Sequence, residues 1–242
     1  MKNPAAGGGR WVDVPPERLV SWIVTFTLRH GSGSVRLADD GTAATFAAAD
    51  GAVAECHPPF PPLPWPAGLE DRPGPAAAGA SAAEELAAAE AMAAHAAADR
   101  TVGVLLVRLG GYGVGVFTGV PPRLVSSKVG SKLVQGRTAA GGWSQHRFAR
   151  RRDNQATAAV AAAAAAAARI FAARPLDAVV LGGDKRSAAG LRGDPRLAPY
   201  LARATDRFLT VPDPRLAVLT ATPGAFTAIR IRLAEPEFDI AR

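Results

Sequence analysis

The chain has 242 residues, which is enough for one sizeable domain or two small ones. Hydrophobic residues make up 48% of the sequence but aromatic residues only 6%, so alanine supplies much of the apolar content and the cores should be thin. The formal net charge is +7, and the single cysteine, Cys56, excludes a disulfide framework and a cysteine-rich metal site. No apolar run approaches the roughly 20 residues needed to span a bilayer, and residues 1–10 lack the apolar core of a signal peptide. A soluble cytoplasmic protein is therefore expected.

Residues 1–60 are predicted to form a small N-terminal α+β domain. Pro15 and Pro16 mark the start of an amphipathic helix in which apolar residues recur at helical spacing to about His30. Glycines then separate short extended segments, which predict a small sheet packed on that helix. These segments are residues 35–37, 42–47 and 52–57.

Residues 61–81 are predicted to be a Pro/Gly-rich linker, because the stretch from His57 to Pro66 can form neither a regular helix nor a central strand. Residues 82–242 are assigned to a second, catalytic domain. This domain should begin with a helix from Ala82 to about Asp99, for which Ser81 is the N-terminal cap.

The rest of the second domain is predicted to be α/β. Two strands joined by a tight turn precede a polar strand or hairpin, a long alanine-rich helix, a buried strand, a helix, a further strand and a closing hairpin. In order, these elements span residues 101–109, 112–118, 123–135, 144–173, 176–181, 195–204, 207–211 and 216–222 paired with 226–233. The pattern predicts a mixed sheet with flanking helices, so the chain is α/β in its second domain and α+β overall.

The positive charge of the chain is concentrated in one block. From Arg100 to Arg152 there are ten lysines and arginines and no aspartate or glutamate, whereas the remainder carries 18 basic against 21 acidic residues. Such segregation favours a polyanionic partner, because bound phosphates release their counterions. The alternative is a solvated basic face without a partner, but the length of the block favours nucleic acid.

Within this block, residues 136–152 are interpreted as a flexible glycine-rich loop that leads into a helix beginning near Ser144. Gly141 and Gly142 permit backbone conformations and close approaches that side chains forbid. A helix N-terminus presents free N–H groups to anions, and Gln145 adds a neutral amide that both donates and accepts hydrogen bonds. The arrangement suits delivery of a polar tip into a site that the partner builds.

Residues 101–211 resemble the middle domain of the eukaryotic and archaeal class-I peptide-chain release factors. The hallmark of that family is a Gly-Gly-Gln loop followed by a serine and an Arg-Phe-Ala-Arg helix start. Here Arg147-Phe148-Ala149-Arg150 matches the helix start, and Gly141-Gly142 stands at the same distance before it. The resemblance implies a ribonuclease H-like fold for this domain.

The chain departs from the release-factor pattern at the glutamine. Trp143 follows the two glycines directly, and Gln145 comes two positions later. A displaced glutamine is characteristic of divergent release-factor-like hydrolases of ribosome-associated quality control, and residues 10–18 and 57–63 are similar to an actinobacterial branch of that group. No stop-codon-reading domain is visible, so the resemblance implies action on stalled complexes.

The resemblance implies a peptidyl-tRNA hydrolase whose loop enters the peptidyl-transferase centre. Gln145, carried by Gly141 and Gly142, would position the attacking water and stabilise the developing oxyanion. The implied partners are the large ribosomal subunit, its rRNA and peptidyl-tRNA. The protein is expected to be a monomer that needs no cofactor or metal and does not bind a membrane. The residues expected to contact RNA are Lys128, Lys132, Arg137, Trp143, His146, Arg147, Arg150 and Arg151.

Several alternatives stay open at this point. A metal-dependent nuclease of the same architecture would need clustered carboxylates on its first strands, and residues 101–118 contain none. A non-catalytic ribosome- or RNA-binding factor would use the basic block as its footprint and the loop as a wedge. Trp143 could stack on a base or pack under the loop. Residues 182–185 could form a phosphate nest, although an ordinary strand-to-loop turn is favoured.

Overall fold

The computed structural model describes residues 5, 8–65, 81–108, 111–131 and 144–236, and for residues 144–156 it describes the backbone alone. The chain divides into two compact units. Unit 1 comprises residues 1–98 and 227–242, and unit 2 comprises residues 99–226.

The secondary structure of the described residues follows the predicted order in most places. In unit 1 the elements are β1 (Arg10–Val14), α1 (Pro16–His30), β2 (Ser34–Leu37), β3 (Ala44–Ala47), β4 (Val53–His57), α2 (Ala82–Ala97) and, from the far end of the chain, β10 (Ile229–Ala234). In unit 2 they are β5 (Val102–Arg108), β6 (Gly111–Thr118), β7 (Arg123–Ser131), α3 (Ser144–Phe171), β8 (Ala178–Gly183), α4 (Lys185–Leu191), α5 (Ala198–Leu201), β9 (Ala204–Leu209), α6 (Leu216–Thr220) and α7 (Pro223–Phe226).

Unit 1 is an antiparallel sheet with the order β1-β10-β4-β3-β2 and two helices packed on it. Leu19, Ile23 and Phe26 of α1 are buried in a common core with Phe46 of β3 and Ile231 of β10. The predicted helix with its Pro16 start, and the small sheet against it, are therefore confirmed. The predicted cap of α2 is also confirmed, because the Ser81 hydroxyl accepts the Glu84 N–H and the Glu84 carboxylate accepts the Ser81 N–H.

The structure groups the chain differently from the expected boundaries at residues 60 and 82. α2 belongs to unit 1, where it packs on α1. Its Glu85 is 4% exposed and accepts hydrogen bonds from the Thr27 hydroxyl of α1 (2.8 Å) and from the Gly33 N–H (2.9 Å). Leu63, within the expected linker, is also buried in unit 1, and its N–H donates to the Gly41 carbonyl.

The predicted closing hairpin at residues 216–233 is wrong. Its first half forms the short helices α6 and α7 of unit 2, with Leu219 and Phe226 buried. Its second half is strand β10, which lies between β1 and β4 in the sheet of unit 1. The alternation of apolar and basic residues in β10 signals a strand, but the sheet that a strand joins depends on contacts far away in the sequence.

Unit 2 is a mixed sheet with the order β7-β6-β5-β8-β9. β5, β6 and β7 are antiparallel neighbours, whereas β8 and β9 continue the sheet parallel to β5. α3 covers one face, and α6 and α7 lie on the opposite face, where the Phe226 ring meets the Phe117 ring edge-on. This arrangement confirms the mixed sheet with flanking helices and agrees with the expected ribonuclease H-like architecture.

The alanine-rich stretch of α3 is the surface on which this helix meets the sheet. Ala163, Ala164 and Ala167 are no more than 1% exposed and share a core with Leu105 of β5 and Val114 of β6. Alanine brings the helix axis close to the sheet, because it adds one methyl group beyond the backbone. The run is thus a packing feature.

Substituting Ala163 with leucine should destabilise the protein by roughly 1–3 kcal/mol, because the added atoms find no space in a close-packed core. Equilibrium unfolding in urea measures the change. Ala165→Leu is the matched control, since Ala165 is exposed on the same helix. Equal stability of the two variants would show that α3 is not packed as described.

The turn from β8 into α4 requires glycine at position 183. Gly183 has φ +106, and a Cβ atom there would lie 1.9 Å from the Val107 carbonyl oxygen. The next residue, Asp184, is the N-cap of α4: its carboxylate accepts hydrogen bonds from the N–H and the hydroxyl of Ser187. Residues 182–185 therefore form a strand-to-helix turn whose helix start is already occupied by Asp184.

Gly183→Ala should destabilise the protein by at least about 2 kcal/mol, because positive φ is strained for alanine and the carbonyl must move. Thermal unfolding followed by circular dichroism would report the loss as a lower Tm. The matched control is Gly193→Ala, where the nearest atom to an added Cβ is 4.0 Å away. A wild-type Tm for Gly183→Ala would contradict the turn geometry.

Candidate functional site

The topology of unit 2 fixes where the predicted catalytic loop is attached. β7 ends at Ser131 and α3 begins at Ser144, so residues 132–143 connect them. Because β7 runs antiparallel to β6 and β6 antiparallel to β5, the carboxyl ends of β7, β5 and β8 share one edge of the sheet. Open α/β sheets bind ligands at this carboxyl edge. The loop is thus attached where the fold offers a binding surface.

Most of the predicted site residues lie outside the described residues or are described by their backbone alone. Outside the description are Lys132, Arg137, Gly141, Gly142 and Trp143. In the first turns of α3, with backbone alone described, are Gln145, His146, Arg147, Arg150 and Arg151. Their roles therefore stay predictions, and the geometry of the scaffold that carries them is what the structure supplies.

Lys128 is the predicted RNA-contacting residue whose side chain is described. It is exposed on β7, opposite Val114 of β6. Opposite residues of antiparallel strands direct their side chains to the same face, and Val114 lies in the core beneath α3. Lys128 therefore stands on the sheet face that α3 covers, about 10 Å of strand before the end of β7.

Helix α3 directly follows the loop in the chain. It has 28 residues, or about 42 Å of helix, and buried residues from Ala159 to Phe171 hold it on the sheet. Its first turn has backbone N–H groups that no helical carbonyl accepts, and its dipole is positive at this end. Arg147, Arg150 and Arg151 follow at helical spacings of three and four residues, so they share one side of the helix.

Other residues at the carboxyl edge add positive charge, among them Lys185 of the segment 182–185 that was considered above as a phosphate nest. Lys185 and Arg186 are exposed in the first turn of α4, directly after the Gly183 turn. Arg108, at the end of β5, donates to the Val211 carbonyl (2.8 Å) and lies 3.8 Å from an Asp213 carboxylate oxygen. Arg108 therefore secures the chain after β9, while Lys185 and Arg186 face solvent.

The charge difference between the two units is large. Unit 2 contains 19 of the 28 lysines and arginines but seven of the 21 aspartates and glutamates. Unit 1 contains the other nine basic and 14 acidic residues and is therefore acidic in total. Attraction to a polyanion is thus a property of the unit that carries the loop.

Two described carboxylates of unit 2 accept hydrogen bonds from backbone N–H groups of other segments. An Asp177 oxygen accepts the Thr101 N–H (2.7 Å), and an Asp99 oxygen accepts the Gly119 N–H (2.9 Å). Asp177 precedes β8 whereas Asp184 follows it, so about 20 Å of strand separates them. Across the described residues no three His, Cys, Asp or Glu side chains form a group that could hold a metal ion. A metal-dependent nuclease would need such a cluster.

Comparison with known proteins gives one family match. A family model described as Actinobacteria/chloroflexi VLRF1 release factor matches residues 100–232, which is more than half of the chain and includes the loop and all of α3. None of the curated proteins with which the chain was compared matches it. In the part of the chain that is described, no helix is long and apolar enough to cross a membrane.

Proposed function

Because the chain belongs to the Actinobacteria/chloroflexi VLRF1 release factor family, we propose that it is a ribosome-dependent peptidyl-tRNA hydrolase that releases nascent chains from stalled complexes. A release-factor-type role at the ribosome follows from the family. The hydrolase activity, the Gly-Gly-x-x-Gln loop as its tip and the stalled complex as its substrate are our proposal.

The observation that carries the proposal is the attachment of the loop. Residues 132–143 join the carboxyl end of an edge strand to the N-terminus of a 28-residue helix that is buried against the sheet along its second half. In the proposal, Gly141, Gly142 and Gln145 form the tip of a long lever whose arm is this helix. Such a lever can place a small polar group inside a partner while its base stays outside.

The proposed reaction breaks the ester between the nascent peptide and the terminal ribose of the tRNA. A water molecule attacks the ester carbonyl carbon, and the bond from that carbon to the ribose oxygen breaks. The peptide leaves as a carboxylate. Of the two protons of the attacking water, one ends on the ribose oxygen and the other goes to solvent. The Gln145 amide is uncharged at neutral pH and is no general base, so its role is to orient the water and donate to the developing oxyanion.

The basic residues around the loop would supply affinity and orientation. Arginines on one side of α3, together with Lys128 on the adjacent strand, would bind rRNA or tRNA phosphates. Lys185 and Arg186 extend the same edge. These contacts carry no sequence information, which suits a factor that acts on many different stalled complexes.

The alternative function is a non-catalytic ribosome- or RNA-binding factor. The same basic edge favours it, since phosphate contacts need no hydrolytic group. The two functions differ in what happens to the ester bond, so an assay of that bond separates them.

The test uses purified large subunits that carry peptidyl-tRNA with a radiolabelled peptide. The protein is added in excess, and the fractions of esterified and free tRNA are followed in a single turnover. The hydrolase predicts loss of ester in proportion to complex formation and no loss with free peptidyl-tRNA in solution. Stable complex formation with intact ester would establish the non-catalytic factor instead.

A further inference from the structure

Unit 1 contains a groove between helix α1 and strand β1, with a volume of about 470 Å³. β1 is an edge strand, with β10 as its neighbour on one side. The groove is lined on the helix side by Arg18, Ser21, Trp22, Thr25, Phe26, Arg29 and His30. The described residues that line it all belong to unit 1.

Three rings form a ladder along the groove side of α1. Trp22 and Phe26 stack with centroids 5.8 Å apart and an interplanar angle of 6°, and the Phe26 and His30 centroids are 5.0 Å apart. Phe26 and His30 are buried, whereas Trp22 is half-buried at the end of the ladder. Among the described residues, Phe26 is the ring that stacks on Trp22, and it covers one face of the indole. A further planar group would continue the stack on the opposite face.

Two arginines flank the ladder. Arg18 and Arg29 are exposed, line the groove and have no hydrogen-bond or ion-pair partner among the described side chains. They are eleven residues apart, which is three helical turns and about 16 Å, so they lie on the same side of α1. Guanidinium groups bind phosphates through paired N–H donors.

The acidic residues of the groove leave those two arginines available. Glu235 lies 3.5 Å from Arg10 and 3.7 Å from a ring nitrogen of His30, so it is already engaged at one end. Asp13 also lines the groove and has an interaction of its own. An anion would therefore be repelled near Asp13 and Glu235 and attracted at Arg18 and Arg29.

We propose that this groove binds single-stranded RNA, with a base stacked on the face of Trp22 that is turned away from Phe26 and phosphates on Arg18 and Arg29. Base stacking on aromatic rings between phosphate-binding cations is how proteins hold single strands without sequence preference. An acidic peptide would satisfy the arginines equally well, but it offers no planar group to extend the ladder. The site gives the chain a second RNA contact, in the unit that is otherwise acidic.

The test uses the full-length protein and a ten-nucleotide oligouridylate. Hydrogen exchange of residues 16–30, with and without the oligonucleotide, reports on this groove even if unit 2 also binds RNA. The oligonucleotide should slow exchange in α1 of the wild type, and the Arg18→Ala/Arg29→Ala double variant should lose that protection. Arg36→Ala is the matched control, because Arg36 is exposed on β2 at the far edge of the same sheet.

Affinity provides the second measurement. Fluorescence anisotropy at several salt concentrations gives the slope of log K, where K is the association constant for the oligonucleotide, against log salt. In the double variant the magnitude of this slope should fall by about 1.4, or about 0.7 for each lost phosphate contact. Trp22→Leu should weaken binding at least about fivefold, and unfolding curves show whether it remains folded. Absence of protection in α1, or equal slopes for the double variant and Arg36→Ala, overturns the proposal.

Repeating the hydrogen exchange experiment with polyglutamate tests whether the groove binds an acidic peptide instead. If polyglutamate protects α1 and the oligonucleotide does not, the groove is a peptide site and the RNA proposal is wrong. The binding of a free oligonucleotide needs no ester hydrolysis. The RNA-binding proposal for the groove can therefore hold even if the protein is not a hydrolase, and it can be wrong even if the protein is one.

Discussion

Replacement of Gln145 by alanine should reduce single-turnover peptide release by at least about 100-fold, the usual effect of removing one donor to an oxyanion. The affinity for stalled large subunits should stay within about twofold of wild type. In the proposed mechanism the amide orients the water and donates to an oxyanion that develops in the transition state, so its loss should lower the rate and spare binding. The rate is measured at saturating protein and the affinity by sedimentation with the subunits.

The loss cannot be attributed to the helix. Gln145 is the second residue of α3, and alanine is the best helix former, so the substitution maintains the helix start. Gln135→Ala is the matched control, because Gln135 belongs to the segment that joins β7 to α3 and lies ten positions from Gln145. Wild-type release by Gln145→Ala, or an equal loss in both variants, would remove Gln145 from the catalytic role.

The features that sequence predicts well in this chain are local. The start of α1 follows from Pro15 and Pro16, and the start of α2 follows from the reciprocal hydrogen bonds of Ser81 and Glu84, two residues three positions apart. The extent of α3 follows from its alanine content and from Ser144 at its first position. Each signal is complete within one or two helical turns, so no distant contact is needed to interpret it.

The features that sequence misses depend on partners far away in the chain. β1 pairs with β10, with Trp11 opposite Arg232, and no local signal at residues 10–14 reveals a partner more than 200 residues away. The same is true of α6, whose Leu219 contacts the sheet near Gly115. Val218 and Thr220 favour a strand locally, and burial of Leu219 against the sheet outweighs that preference.

The candidate sites show the same division. The proposed loop chemistry is predicted from Gly141, Gly142 and Gln145 alone, because the proposed reaction takes its surroundings from the ribosome and needs few residues from the chain. The groove of unit 1 could not be predicted from the sequence in this way. Arg18, Trp22 and Phe26 recur every four residues, which predicts a shared helix face but does not say that an edge strand stands beside it.

The three arginines at the start of α3 should account for much of the affinity for the ribosome. The Arg147→Ala/Arg150→Ala/Arg151→Ala variant should bind stalled large subunits at least about tenfold more weakly at moderate salt. The slope of log K against log salt should fall by about two, because each phosphate contact contributes roughly 0.7–0.9. Release at saturating protein should stay close to wild type, since the proposal assigns these residues to binding RNA and gives them no contact with the ester.

The matched control for that variant removes the same charge elsewhere in unit 2. Arg169, Arg174 and Arg192 are exposed. Arg169 and Arg174 lie near the C-terminal end of α3 and Arg192 follows α4, so the Arg169→Ala/Arg174→Ala/Arg192→Ala variant lowers the net charge equally and leaves the first turns of α3 unchanged. If general attraction between a basic unit and a polyanion dominated, both variants would weaken binding alike. A larger effect at the start of α3 is expected, because contacts at a fixed distance from phosphates contribute more than charge that salt screens. Equal affinities and equal slopes would therefore contradict the placement of this helix end on RNA.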